Sequence, residues 1–463
     1  MTTRVLGTDR MADRRKGRVL GLELRRSTAP VAGALALVLG LLSMLYLFGG
    51  LSSPFGQWNG FTGALRNSLE VLCPVALAAG AWQGRREAQP GAAELISTTA
   101  RPTWQRVVPV AGALAITLTA AFLVLFVFGA VQVAANTSYQ HLGWLPMLLA
   151  GELSLIAAGW LGLGIGTVAP SAFTAPMLAV FGLVILRFLA YGVDGQASLL
   201  GPGLTFRDDF RDLAPQVTWA QLLWFAGLAV GGLVLTMATG RRRYLAVLAI
   251  GLGLAGSLPL FPANQAATYV TDPAAVAPVC TSDAPRVCVT QAHADALADV
   301  TDPAREALRL LAPLADAPTS VMEDTSSPYE PEVKSQPSEV LLFALNSYEL
   351  DEHSHVTLPR DELLNRMLEG AGTVSCGDPS QPPPELSRAE DERRERQFAA
   401  RELAVALLLG KPVPLFNTRA SQAWPALHAL PAAEQQRRLS ALRAASLSCQ
   451  SDSLRILTQG ATG

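Results

Sequence analysis

Apolar residues gather into seven stretches over the first 261 positions, at 31–50, 69–84, 107–131, 144–168, 172–191, 219–240 and 244–261, with short polar connections between them. A bilayer core of ~30 Å is crossed by roughly 20 apolar residues of helix. The pattern therefore predicts a polytopic α-helical membrane domain of about seven transmembrane helices. The second stretch is short and begins beside Arg66 and Glu70; the last is short and holds Pro259. From position 262 the long apolar runs stop and a polar chain continues to the end. The expected division is a cytoplasmic segment over 1–30, a membrane domain over 31–261, a Pro/Ala/Thr-rich linker over 262–278 and a folded α+β domain over 279–463.

Within that last domain, 286–290 reads as a short strand containing Cys288. Asp302 as N-cap and Pro303 at the first helical position predict a helix reaching about Leu314. The Pro/Ser/Glu-rich stretch 318–338 reads as an exposed loop, and 339–346 as a buried strand. A helix over 359–369 is stopped by Gly370, and 377–384 is a second Pro-rich loop. Ser387 and Glu390 form a capping box opening a long helix that Gly410 ends, and a final helix covers about 432–446.

Charge sharpens the division. Residues 1–261 hold 19 Lys/Arg against 11 Asp/Glu, a net of +8, while 262–463 hold 17 against 27, a net of −10. The basic residues flank apolar stretches: eight in residues 1–30, then Arg85, Arg86, Arg101 and Arg106, then Arg241, Arg242 and Arg243. With seven spans all three groups fall on one face, so the positive-inside rule puts the N-terminus in the cytoplasm and the last domain outside. The first span then serves as an uncleaved insertion signal in a multi-pass protein of the cell membrane. An acidic domain and loop-confined basic charge argue against nucleic acid as a partner and for membrane lipid. Cys73 lies in an apolar stretch, whereas Cys280, Cys288, Cys376 and Cys449 fall in the segment expected outside, where disulfides persist. Of three possible pairings, Cys280–Cys288 and Cys376–Cys449 are favoured, because the first two are close and flank a short turn.

The connection between the second and third stretches runs Arg85-Arg86-Glu87, then Gly91-Ala92-Ala93-Glu94-Leu95, then Arg101-Pro102-Thr103-Trp104-Gln105-Arg106. It resembles the corresponding loop of ABC-2 type permeases, the export-family membrane subunits of ABC transporters. Glu87, Gly91, Glu94, Leu95, Trp104 and Arg106 fit that family's pattern; Ala92 stands where it has Thr, and Ala100 where Pro is common. The resemblance extends over about 20–240, including the basic approach to the first span, a tight fourth-to-fifth connection at Ala169-Pro170-Ser171 and a small-residue face at Gly159, Gly162, Gly164 and Gly166. The seventh span and the C-terminal domain lie beyond it; they are similar to an elaboration of some actinobacterial permease-like proteins. What the resemblance implies is a coupling helix within 85–106 that docks on a separate ATPase subunit, and a second permease half, a copy or a sibling. The residues alone also fit a solvated basic loop.

No Walker A sequence occurs, since Gly410-Lys411 is followed by Pro412, so this chain is expected to bind no cofactor itself and to meet ATP only through a partner. Gly-x-Ser-x-Gly is missing too, and no catalytic residue is expected. Two charges fall inside spans, Glu152 and Arg187; buried intramembrane charge needs a partner or a wet cavity, and opposite helix directions allow the two to meet. His353 and His355 share a strand-like spacing beside Asp351 and Glu352, yet a third metal ligand is not evident and a solvated acidic loop is the expectation. The function expected is thus a permease subunit, not an enzyme. A non-transporting receptor or scaffold with an external binding domain is the alternative, distinguished by the lack of any partner ATPase.

Overall fold

The computed structural model describes residues 21, 27–47, 57–89, 102–193, 195–204, 209–326, 336–346, 349–351, 353–374, 388–411, 417–449 and 453–459. The chain divides into two compact units, Met1–Val270 and Thr271–Gly463, the division falling inside the stretch expected to be a linker.

Among its described residues the first unit has seven apolar helices: α1 (Ala29–Leu47), α2 (Trp58–Glu87), α3 (Thr103–Asn136), α4 (Trp144–Val168), α5 (Thr174–Tyr191), α6 (Pro215–Met237) and α7 (Tyr244–Ser257). Each answers to one expected stretch. Among the described residues five are long and apolar enough to cross a membrane: α3, α4, α5, α6 and the run Gly240–Leu260 that contains α7. Their large apolar side chains point outward, among them Val124, Val127, Val180, Val184, Val230 and Val247, as a lipid-facing surface requires.

The second helix departs most from expectation. It starts at Trp58, eleven residues before the predicted 69, and is the most enclosed helix of the unit. Phe61, Leu65, Leu69 and Leu72 are fully buried at helical spacing, and Arg66, Ser68 and Glu70 are buried with them. Arg66 and Glu70 therefore sit inside the helix rather than marking its boundary. Small residues make the enclosure possible. Gly80 and Gly84 on α2 face Gly159, Leu163 and Gly166 on α4, while Gly164 faces Gly232 on α6, so α2, α4 and α6 run parallel with backbones in close approach. At the Trp58 end, the Trp58 and Trp144 rings stack with centroids 4.8 Å apart. The strands β1 (Arg211–Leu213) and β2 (Tyr269–Thr271) form a short ladder where the unit ends.

The second unit is built on a four-stranded sheet in the order β3 (Pro278–Cys280), β4 (Val287–Thr290), β5 (Ser320–Glu323), β6 (Val340–Phe343). The β3–β4 pair is an antiparallel hairpin; β4–β5 and β5–β6 are parallel. Between β4 and β5 the chain crosses over through α8 (Leu297–Leu311), whose Val300, Ala304, Ala307 and Leu311 are buried in the core with Val287, Val321 and Leu341. The helices α9 (Arg360–Leu368), α10 (Arg388–Leu409), α11 (Thr418–His428), α12 (Ala432–Leu447) and α13 (Ser453–Gln459) follow. Fully buried Arg443 on α12 donates to the carbonyls of Asp316, Ser338, Ala371 and Gly372, tying three separate segments to one helix. Burial pushes its guanidinium below the usual arginine range.

Three expectations for this unit need correction. The segment 318–338, read as an exposed loop, contains β5, which is an interior strand of the sheet. Asp302-Pro303 does not open α8, which begins at Leu297. Pro303 lies inside the helix instead, and the carbonyl it leaves without a helical N–H is that of Asp299, an exposed residue. The helices α11 and α13 were not anticipated, although Asn417 caps α11 by accepting the Arg419 N–H at 2.9 Å. The β6, α9, α10 and α12 assignments agree with the structure to within a few residues.

The Cys280–Cys288 disulfide forms as expected, across directly opposed positions of the β3–β4 hairpin. Cys449 is also disulfide-bonded; its expected partner, Cys376, lies outside the described residues, as do Ser387 and all of 377–384. Closing a loop of sequence separation 8 restricts the unfolded chain by about 2–3 kcal/mol. Reduction is accordingly expected to speed amide exchange at Val287–Thr290 by one to two orders of magnitude (about tenfold per 1.4 kcal/mol). Unchanged exchange after full reduction would count against any stabilising role for this bridge.

Candidate functional site

Two regions of the first unit hold the residues that sequence singled out. The first is the junction of α2 and α3. Arg85, Arg86 and Glu87 form the last turn of α2, and Trp104 and Arg106 lie in the first turn of α3. Gln83 organises the α2 end: its Oε1 accepts from the Thr28 N–H at 3.3 Å and hydroxyl at 2.7 Å, while its Nε2 donates to Glu87 at 3.2 Å. The Arg85 guanidinium lies over the exposed Trp82 ring at 5.3 Å. Trp104 is 54 % exposed. Gly91, Glu94, Leu95 and Arg101 lie outside the described residues. The described part of this end is thus basic and carries two exposed indoles.

The second region is the set of charges on the spans in the half nearer Trp58, of which Arg66 and Glu70 are buried and Arg187 is exposed on α5. Arg187 does not meet Glu152. Its Nη1 donates to Glu70 Oε2 at 2.7 Å, and its guanidinium stacks on Tyr191. Glu152 instead accepts from the Thr119 hydroxyl on α3 at 2.5 Å, and its second oxygen has no partner in the bundle. The Glu152–Arg187 contact that the helix directions allow does not form, because α5 packs along α2, with Gly182 against Pro74 and Leu77, and so delivers Arg187 to α2 rather than to α4.

Arg66 lies where the sequence pattern places the edge of the second span. It is completely buried. Nε donates to the Pro202 carbonyl at 2.8 Å, and Nη1 to the Met147 carbonyl at 3.3 Å and to Gln221 Oε1 at 3.0 Å. Nη2 has no partner. Gln221 in turn donates to the carbonyls of Leu199 and Gly201, Trp224 to that of Leu200, and Asn67 accepts the Leu204 N–H. The 195–204 connection is therefore folded onto α2 and α6 by polar side chains that both helices aim inward. The available signal was the spacing of Arg66 and Glu70, one helical turn apart within the apolar series Phe61, Leu65, Leu69 and Leu72.

In the second unit His355 is exposed and pairs with Asp299, whose carboxylate also takes the Val356 N–H. That hydrogen bond raises the imidazole's affinity for its proton above the ordinary histidine range. His293 is the buried histidine: its Nδ1 lies 2.5 Å from Glu323 Oε1, and Glu323 Oε2 accepts from both the N–H and hydroxyl of Thr290 at 2.8 Å. Comparison with protein-family models, with curated proteins and with solved structures finds no match to this chain.

Proposed function

We propose that the chain is the membrane-spanning permease subunit of an ABC-2-like transporter, in which the 85–106 loop receives the motion of a separate ATPase. The observation that carries this reading is the continuity of α2. One unbroken 30-residue helix joins the basic, indole-bearing junction to the buried polar group around Arg66. At 1.5 Å per residue, Arg66 and Glu87 are roughly 30 Å apart along the same rod. A force applied at the loop therefore reaches the middle of the far half of the bundle without crossing a joint other than Pro74. The ends of α2 and α6 that carry Arg85, Arg86 and Arg241–Arg243 lie together by the parallel packing of α2, α4 and α6, consistent with a cytoplasmic face. On this reading the seven helices are seven spans, the Thr271–Gly463 unit is extracytoplasmic, and a second permease half completes the pathway.

The test is purification of the tagged protein in mild detergent with identification of what accompanies it. A Walker-containing ATPase is expected in stoichiometric amount. Glu94→Lys reverses a charge at the proposed docking face and should lower that ATPase at least about tenfold without changing the protein's own elution. Absence of any ATPase, when a known permease of the same cells keeps its own, would sink the reading.

A further inference from the structure

Arg66 is, among the described residues, a buried cation with no carboxylate bonded to it. Among the described residues its acceptors are two backbone carbonyls and one amide, all neutral. Glu70, one turn along α2, is the natural partner by position, but its carboxylate is engaged with Arg187. Three of the five guanidinium N–H groups are used, and the two on Nη2 are buried and unpaired. Leaving an ion desolvated and uncompensated costs several kcal/mol, and charged groups held within a membrane mark functional pathways. The stem is fixed as well. Gly151 lets α4 pass close to the Arg66 methylenes, so the head cannot swing away to water along that side.

We infer that Arg66 is an anion-binding residue, and that its ligand is an amphiphile carrying a carboxylate or phosphate. The guanidinium supplies the charge, with Nη2 presenting two donors to one or two anionic oxygens. The apolar part of the specificity comes from the surroundings, where Leu65, Leu69, Met147 and Leu199 are all buried. Access comes from the 195–204 connection. It covers Arg66 through side-chain bonds to backbone carbonyls, and those same donors on Gln221 and Trp224 are exchangeable when the segment lifts. As a substrate contact the site rests on the transport reading; as an anion site it does not.

The experiment measures equilibrium binding of radiolabelled laurate to the full-length protein in phosphatidylcholine nanodiscs. Saturable binding of one laurate per chain is expected, displaced by dodecyl phosphate and not by dodecanol. Arg66→Gln should abolish it. Because loss of Arg66 also unties Pro202 and Met147, Gln221→Glu is the second variant. It keeps the Arg66 bonds to Pro202 and Met147, gives up the Gln221 bonds to Leu199 and Gly201, places a carboxylate beside Nη1, and should weaken laurate at least about tenfold in a protein that elutes normally. Nanodiscs containing phosphatidylglycerol distinguish the source of the anion: competition there assigns the site to a lipid headgroup, and its lack to a single-chain amphiphile. Non-saturable uptake, equal binding by wild type and Gln221→Glu, or displacement by dodecanol would each overturn the anion site. No ATPase is needed for the measurement, so its outcome and that of the purification test are read separately.

Discussion

Glu323→Ala is expected to cost the Thr271–Gly463 unit about 3–5 kcal/mol, because it takes the acceptor from three buried hydrogen bonds at once and each buried group left unpaired costs about 1–3 kcal/mol. Glu323 ends β5, an interior strand, and its side chain is fully enclosed. One oxygen holds both the backbone and side chain of Thr290 at the end of β4; the other holds His293 in the turn that leads to α8. The carboxylate therefore links two parallel strands to the crossover helix. Without it, a Thr290 N–H and the His293 ring are left buried without these acceptors, and neither can reach water without opening the sheet edge. Amide exchange at Val287–Thr290 and Ser320–Glu323 should quicken by about two to three orders of magnitude in the full-length protein. Glu323→Gln keeps an acceptor for Thr290 and loses the charge, so its effect should be clearly smaller. Equal effects of the two variants would show that shape, not hydrogen bonding, holds this corner.

What the sequence conveys about this chain depends on how local the determining physics is. The stretch 144–168 coincides with α4 residue for residue because a nearly continuous apolar run of bilayer length specifies a helix whether lipid or protein covers it. The Cys280–Cys288 pairing was legible because eight residues of separation and an intervening turn leave few alternatives. The second helix was misjudged for the opposite reason. Arg66 and Glu70 look like a membrane boundary when only their own neighbourhood is read, and only Pro202, Met147, Gln221 and Arg187, contributed by four distant segments, explain why they lie inside. β5 was hidden in the same way. Its Glu323 is followed by Asp324, Thr325, Ser326 and Ser327, a polar run that reads as loop until His293 and Thr290 are placed opposite it. Sequence pattern thus located the lipid-facing helices well and the buried polar groups poorly. The buried polar groups are where the proposed function resides.

The α2–α4 seam yields an expected result of the same size. At Gly162 an added Cβ would lie 1.9 Å from the Leu77 carbonyl oxygen, and at Gly166 one would lie 2.2 Å from that of Ala81. The reverse holds on α2, where Gly80 would meet the Gly159 carbonyl at 2.0 Å and Gly84 that of Leu163 at 2.2 Å. Two glycines four residues apart on each helix thus face the partner backbone, and backbone has no rotamer through which to yield. Gly162→Ala should force the helices apart and cost about 3 kcal/mol, at the upper end of ordinary overpacking; Gly162→Leu should prevent a monodisperse preparation. Gly251 on α7 supplies the control, since nothing lies within 4 Å of its added Cβ. There Gly→Ala removes only backbone freedom, and the effect should be neutral to stabilising by up to about 1 kcal/mol. Thermal unfolding of the two alanine variants in the same detergent should therefore move in opposite directions or, at the least, move only for Gly162→Ala. Because α2 also carries Arg66 and ends in the 85–106 loop, a displaced seam should weaken laurate binding and ATPase association together, whereas Gly251→Ala should leave both intact. If Gly162→Ala unfolds at the wild-type temperature, α2 and α4 are not in the close approach on which both proposals depend.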